Sequence, residues 1–307
     1  LKLLITGGTG TLGHALTEYY LNVKRIEKIY ILSRNELKQS QMKEKFDENK
    51  KISFLIGDVR DKDRLQRAFK GIDWVIHAAA QKQVPSCEYN PFEAVQTNIN
   101  GSRNVVEAAI DQGVKKLIGI STDKAVQPTN LYGSTKMCME KIFLCGNAYD
   151  GKRNTKISIA RYGNVFNSNG SVVDVFKQFA VKGLPLPITH PDMTRFIIRK
   201  HEASQFVNMC LTTMYGCEIF IPKLPTLKIL DLANKFSKDH KIIGIREGEK
   251  IHETLVSKHE KVIEKVAHYI IRPRYIFFNH KETENSKFIG DYSSDNKEWE
   301  IDVNDLL

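Results

Sequence analysis

Residues Ser121 to Lys136 gather, within one short stretch, the side chains of this chain best suited to proton chemistry. Ser121 and Thr122 supply hydroxyls, Asp123 a carboxylate, Lys124 an amine, and Tyr132-x-x-x-Lys136 a phenol and a second amine. Residues four apart share one face of a helix, so Lys136 is expected beside Tyr132. An ammonium there favours the phenolate and brings the tyrosine toward service as a base at neutral pH. The stretch follows Lys116-Leu117-Ile118-Gly119-Ile120, an apolar run that predicts a buried strand. Asp123 and Lys124 then leave a strand end, where open α/β sheets place their ligands. Spacing alone is weak support. Tyr20 and Lys24 repeat it with no chemistry around them, and a solvated turn explains Asp123-Lys124 equally well. The surrounding elements decide between these readings.

Those elements begin at the first residues. The strand Leu3-Leu4-Ile5 runs through Thr6-Gly7-Gly8-Thr9-Gly10-Thr11-Leu12-Gly13 into an amphipathic helix. Glycines in such a turn let the backbone approach a pyrophosphate, whose charge rests on the helix N-terminus. Gly7, Thr9, Gly10, Thr11, Leu12 and Gly13 are therefore candidate cofactor residues, in a spacing that resembles the extended short-chain dehydrogenase/reductases. A second strand, Lys28 to Leu32, ends in Ser33 and Arg34, with Lys38 a turn later. NAD-selective proteins often carry an acid there. Cations suit a 2′-phosphate instead, so NADP is expected over NAD, unless Arg34 and Lys38 only decorate an exposed loop. A third strand, Ile52 to Ile56, leads to Asp58 and Val59, placed for the adenine edge and ring. A fourth, Trp74 to His77, ends in Ala78, Ala79 and Ala80, small enough for close approach of a cofactor, with Lys82 in reach of phosphate or ribose. A long helix predicted over Phe92 to Gln112 bears Asn98 near its start and leads into the active-site strand.

Strands and helices alternate in this way to about residue 165, which argues an α/β fold with a Rossmann-type doubly wound parallel sheet. From Gly163 the chain turns loop-rich, with Pro185, Pro187, Pro191, Pro222 and Pro225, and predicts a smaller C-terminal α/β substrate lobe over the carboxyl edge of the sheet. The expected division is 1–165 for a cofactor domain carrying the catalytic residues, and 166–280 mainly for the substrate lobe, with interleaved returns to the sheet. A polar tail over 281–307, partly mobile, is expected to end in a short helix at Val303 to Leu307.

At 307 residues, 41% hydrophobic and 27% charged, the composition is that of an ordinary globular protein. No apolar run approaches the roughly 18 residues a membrane helix needs, and the chain opens on a strand. No membrane partner, no secretory leader and a cytoplasmic location are therefore expected. Five cysteines without Cys-x-x-Cys and nine histidines without His-x-x-x-His predict free thiols and no metal. A net charge of +10 admits nucleic acid, anionic lipid or an anionic substrate. The basic residues are dispersed, with no dense run interleaved with aromatics, so no nucleic acid is expected. A phosphate-bearing substrate and cofactor account for part of the charge.

A closer resemblance rests on seven ordered motifs: His77 to Pro85, Asn90 to Val95, Ser121 to Ala125, Asn130 to Gly133, Arg161 to Val165, Met193 to Phe196, and Ile243 to Glu253. They resemble the inverting UDP-N-acetylglucosamine 4,6-dehydratases, the first enzymes of pseudaminic acid synthesis in bacteria that glycosylate flagella. The resemblance runs from Leu3 to about Pro273 and weakly through Tyr292 to Asp295. It implies NADP held through the catalytic cycle, UDP-N-acetylglucosamine as substrate, and a homo-oligomer between dimer and hexamer.

Carried onto this chain, the resemblance gives Tyr132, with Lys136, the proton of the sugar 4-hydroxyl while hydride leaves C4. The resulting ketone acidifies C5. Lys124 is then the C5 base, its pKa lowered by burial beside other cations, and Asp123 the acid for the departing C6 hydroxyl. Thr122 hydrogen-bonds the 4-oxygen. Hydride returns to C6, and reprotonation of C5 from the opposite face gives the L-arabino 4-keto sugar. Lys82, Asn164, Val172, Thr189, Arg195, Arg246 and Glu249 fall at substrate positions, although Arg246 and Glu249 can simply pair. Gln81, Asn169, Asp174 and His190 depart from the usual pattern, and the last three bear on sugar preference. The alternatives are a C5-retaining or capsule-pathway UDP-sugar 4,6-dehydratase and a UDP-sugar 4-epimerase. Many sister dehydratases carry Met where this chain has Tyr132, and an epimerase needs no acid–base pair such as Asp123-Lys124. A non-catalytic NADP-binding protein is the remaining class, which loss of Tyr132 or Lys136 would have marked.

Overall fold

The computed structural model describes residues 1–149, 155–168, 170–272 and 286–306. Six strands in the first half are β1 (Lys2–Thr6), β2 (Lys28–Ser33), β3 (Ile52–Ile56), β4 (Trp74–His77), β5 (Lys116–Thr122) and β6 (Lys156–Tyr162). They lie parallel in the order β3-β2-β1-β4-β5-β6. Leu3, Leu4 and Ile5 of β1 and Leu117 and Ile118 of β5 are fully buried. Helices cover both faces of such a sheet, which is why these strands read as continuous apolar runs. Strand order reverses between β1 and β4, and the crevice at that switch point is where doubly wound sheets bind ligands.

The sheet then continues beyond the parallel core. The strand β7 (Ile219–Pro222) joins β6 in parallel, and β8 (Lys261–Glu264), β9 (His268–Ile271) and β10 (Lys287–Phe288) add an antiparallel edge in the order β7-β9-β8-β10. The helices are α1 (Thr11–Leu21), α2 (Glu36–Lys45), α3 (Lys62–Ala68), α4 (Val84–Tyr89), α5 (Pro91–Val95), α6 (Gly101–Asp111), α7 (Leu131–Tyr149), α8 (Val172–Val181), α9 (Lys200–Thr213) and α10 (Ile229–Ala233). The long helix expected over 92–112 is α5 and α6 joined by a π-helical turn, Gln96–Asn100.

A second apolar cluster stands apart from the sheet core. Val173 and Phe176 of α8, Leu186, Ile188, Met193, Leu227 and Leu232 form it, closed by Val303 and Leu306 near the C-terminus. The final segment is packed rather than loose. Tyr292–Ser293 pairs with Thr254–Val256, Tyr292 is buried, and Val303–Asp305 forms a 3-10 turn instead of a longer helix. Buried apolar anchors explain the order that a polar composition concealed. Asn169, the junction at 280/281 and Leu307 lie outside the described residues. Among those described, no helix is long and apolar enough to cross a membrane, and no cluster of His, Cys, Asp or Glu could hold a metal ion.

Candidate active site

A cleft of about 1380 Å³ runs along the carboxyl ends of β1, β2, β4, β5 and β6 and is closed on its far side by the small apolar cluster. At one end the β1–α1 turn brings in Gly7, Thr9, Gly10, Thr11, Leu12 and Gly13. Gly7 has φ +66°, and a Cβ there would stand 2.7 Å from Ala79 Cα, so this turn sits directly against the Ala78-Ala79-Ala80 backbone. The first turn of α1 lines the cleft with no side-chain cap over it, the arrangement that receives a phosphate. Ser33, Arg34 and Lys38 line the neighbouring wall. Asn35 joins them and caps α2 by accepting from Lys38 N at 2.9 Å. Arg34 is well exposed, its Nη1 3.7 Å from Asp58 Oδ2. Although burial works the other way, Arg60 holds Asp58 below the usual carboxylate range through a 2.7 Å contact.

Val59, Ala78, Ala79, Ala80 and Lys82 also line the cleft, and burial lowers the pKa of Lys82. Asn98 does not line it. Its amide accepts from Gln81 N at 2.8 Å and donates to Gln81 O at 2.8 Å and Thr135 Oγ1 at 3.0 Å. Asn98 thus ties the loop carrying Lys82 to α7, from a π-helical turn of the kind often found at functional sites. Thr97, next to it, does reach the cleft, and nothing in its sequence context marked it.

The Ser121–Lys136 stretch folds as the end of β5, a 3-10 turn over Asp123–Ala125, and the start of α7. Gly133 makes the approach possible, because a Cβ on it would meet Lys124 O at 2.2 Å. Ser121 is held from below by a buried network in which its Oγ donates to Glu140 at 2.6 Å and Arg161 bridges Glu140 at 2.7 Å and Glu260 at 3.1 Å. Thr122, Lys124, Tyr132 and Lys136 line the cleft. Asp123 is fully buried behind them, and its Oδ1 accepts from Thr122 Oγ1 at 2.9 Å and Lys124 Nζ at 3.0 Å.

The charges in this cluster differ from those read in the sequence. Burial opposes the charge on Lys124, but Asp123 and Glu253 outweigh it and hold its pKa well above the ordinary lysine value, with Arg195 opposing. The expectation of a lowered pKa is corrected because the near neighbours are carboxylates: Glu253 Oε1 lies 3.0 Å from Nζ. Burial pushes the Tyr132 phenol up to about 12, and the Lys124 ammonium is the strongest pull in the opposite direction. Lys136 donates instead to Ile120 O at 2.6 Å and contacts Met139 Sδ, while burial brings its pKa down to about 8.

The far wall holds Asn164, Val172, Thr189, Arg195, Arg246 and Glu249. Arg195 is buried and gives its Nη hydrogens to the carbonyls of Thr194, Lys250 and Ile251. Arg246 and Glu249 form an ion pair; burial would raise Glu249, but Arg246 holds it below the usual carboxylate range. The segment carrying them is fastened to the catalytic loop, with Gly248 O accepting from Thr129 and Asn130 and Lys250 Nζ donating to Val126 O.

A family model described as a polysaccharide biosynthesis protein matches residues 3–274. A curated relative from Campylobacter jejuni subsp. jejuni serotype O:23/36 (strain 81-176), named as a UDP-N-acetylglucosamine 4,6-dehydratase (inverting), is 44% identical over 97% of this chain and 94% of its own length. A relative from Rickettsia bellii (strain RML369-C), named as a UDP-glucose 4-epimerase, is 42% identical over 84% of this chain and 78% of its own. Among solved structures, Pen from Bacillus thuringiensis superposes with a TM-score of 0.91 at 34% identity, covering 99% of this chain and 95% of that one.

Proposed function

The chain belongs to the polysaccharide biosynthesis protein family, and from that premise we propose that it is a UDP-N-acetylglucosamine 4,6-dehydratase that inverts C5. The observation that carries the reading is the Asp123–Lys124 pair, with the amine on the cleft wall that also carries Tyr132 and the carboxyl group 3.0 Å behind it. A 4-epimerase needs only proton transfer at O4, so this pair favours elimination over the epimerase chemistry for which other relatives are named. The C5-retaining dehydratases are the nearest second reading, set against by Lys124, where they commonly carry Glu.

The glycine turn, the uncapped start of α1 and the cations after β2 fit a nicotinamide dinucleotide. Arg34 and Lys38 suit a 2′-phosphate, which makes NADP the cofactor. When bound, the nicotinamide supplies the hydride acceptor for C4 and the donor for C6. Tyr132 takes the 4-hydroxyl proton, drawn toward phenolate by the Lys124 charge against the pull of its burial. Thr122 orients the 4-oxygen. Lys124 removes the C5 proton once it has lost its own, and Asp123, buried behind it, is the source of the proton that leaves with the C6 oxygen. Asn164, Val172, Thr189, Arg195, Arg246 and Glu249 hold the UDP-sugar together with Lys82. In this reading residues 1–165 form the cofactor domain and 166–280 mainly the substrate lobe. The protein is a cytoplasmic homo-oligomer, dimer to hexamer, that opens pseudaminic acid synthesis for flagellin glycosylation.

Proton NMR of UDP-N-acetylglucosamine incubated with the protein in deuterated water tests this. A C6 methyl signal with deuterium at C5 and L-arabino couplings is the expected result. A sugar altered only at C4 would sink it in favour of the epimerase.

A further inference from the structure

Glu253 stands just before the short strand Thr254–Val256, in a stretch of backbone bonded to the C-terminal segment through Glu253 N to Ser294 Oγ and Ser294 N to Glu253 O. Its side chain is buried, with Oε1 3.0 Å from Lys124 Nζ and 4.0 Å from Arg195 Nε. Glu253 Oε2 and Asp123 Oδ2 are both buried and have no hydrogen-bond partner among the described residues. One ammonium is thus bracketed by two buried carboxylates, each with a bare oxygen. Leaving such an oxygen unsatisfied is expensive. Lys124 lines the cleft, whereas both carboxylates lie behind it.

A lysine gripped in this way is an ammonium, and an ammonium removes no proton from carbon. We propose that Glu253 accepts the proton of Lys124 and so frees the amine to act at C5. The step rests on the dehydratase reading above. It starts once the Asp123 carboxylate has taken up a proton from water, so that Asp123 is the acid, Lys124 an ammonium and Glu253 a carboxylate. An N–H bond of Lys124 breaks and an O–H bond forms on Glu253 Oε1. The freed amine takes the C5 proton, the C5–H electrons form the C5–C6 double bond, and the C6–O bond breaks with the proton of Asp123 leaving in water. Asp123 is then a carboxylate, Lys124 an ammonium and Glu253 an acid. Return of the Glu253 proton through Nζ to Asp123 restores the start, so protons and electrons balance without another reagent. Glu253 touches neither sugar nor cofactor and is a positioning residue, acting through Lys124. The charged and titratable groups around the pair are Asp123, Arg195, Lys250 and Tyr132.

The test uses full-length protein with NADP and UDP-N-acetylglucosamine, and follows two signals: near-ultraviolet absorbance of the reduced nicotinamide and the C6 methyl resonance. Glu253→Gln keeps an acceptor oxygen for Lys124 but takes no proton. It is expected to reduce the cofactor within about threefold of the wild-type rate and accumulate it reduced, while methyl formation falls about 100-fold or more. Glu253→Asp, which keeps a protonatable group, is expected to recover at least about tenfold over the glutamine variant. Methyl formation by Glu253→Gln near the wild-type rate overturns the inference. So does an equal loss of both signals with no recovery by Glu253→Asp, which marks a purely structural role. A wild-type protein that forms no methyl signal fails the dehydratase premise itself, and this step with it.

Discussion

Gly133→Ala is the substitution for which the structure yields the sharpest expectation. A methyl at residue 133 would stand 2.2 Å from Lys124 O, 3.0 Å from Lys124 C and 3.1 Å from Pro128 Cβ. Real Cβ atoms essentially never come within 3.0 Å, and the atom met first is backbone, which cannot rotate away. The 3-10 turn carrying Asp123 and Lys124 must therefore move off α7 by about 0.8 Å, a displacement of the size that costs about 100-fold in rate when it separates reacting groups. Overpacking of this kind costs about 1–3 kcal/mol of stability. For a chain of this size that lowers Tm by about 2–6 °C. The assay is the rate of C6 methyl formation alongside a thermal scan. Activity should fall far more than stability, because the strained contact joins Lys124 to the helix of Tyr132. A variant with wild-type rate would refute the claim that this contact sets the site.

Other perturbations have equally direct outcomes. Arg34→Ala should weaken NADP binding by about 10- to 100-fold, leave NAD binding nearly unchanged, and be read by titration of each dinucleotide. Lys136, brought down to about 8 by burial, binds its proton more weakly folded than unfolded. The cost is fully present below about pH 8 and fades as pH rises toward the unfolded value near 10.5, so stability rises across that window by roughly 3 kcal/mol. Denaturant midpoints of the wild type against Lys136→Met at both ends of the window read this, and equal pH slopes would contradict it. Glu140→Gln, which breaks a buried pair with Arg161 at 2.7 Å, should cost about 3 kcal/mol in urea unfolding, toward the lower end because Glu260 remains on Arg161. A loss below about 1 kcal/mol would mean the network carries little.

Local order made much of this molecule readable. The central parallel strands β1, β2, β4 and β5 are largely apolar because both faces of the sheet are covered there, and the turn chemistry between them is short-range. Thr122, Lys124, Tyr132 and Lys136 travel on one strand–turn–helix unit, so their meeting in the cleft follows from adjacency in the chain. The polar end of the chain was less readable. Val303 and Leu306 are two apolar residues in a charged setting, and no periodicity shows that they close the small core.

By itself, then, the sequence determined the α/β sheet, the glycine turn and which side chains could do chemistry, since each depends on residues within a few positions of one another. Tertiary structure decided the charge on them. Glu253 arrives from a segment distant in the chain, pinned by Ser294, and with Asp123 it makes Lys124 a firmly held ammonium. Asn98 became a strut for the Lys82 loop, and the Arg195 hydrogens were taken by three carbonyls. Spacing can nominate an acid or a base; only packing sets the desolvation and the neighbouring charges that fix its proton.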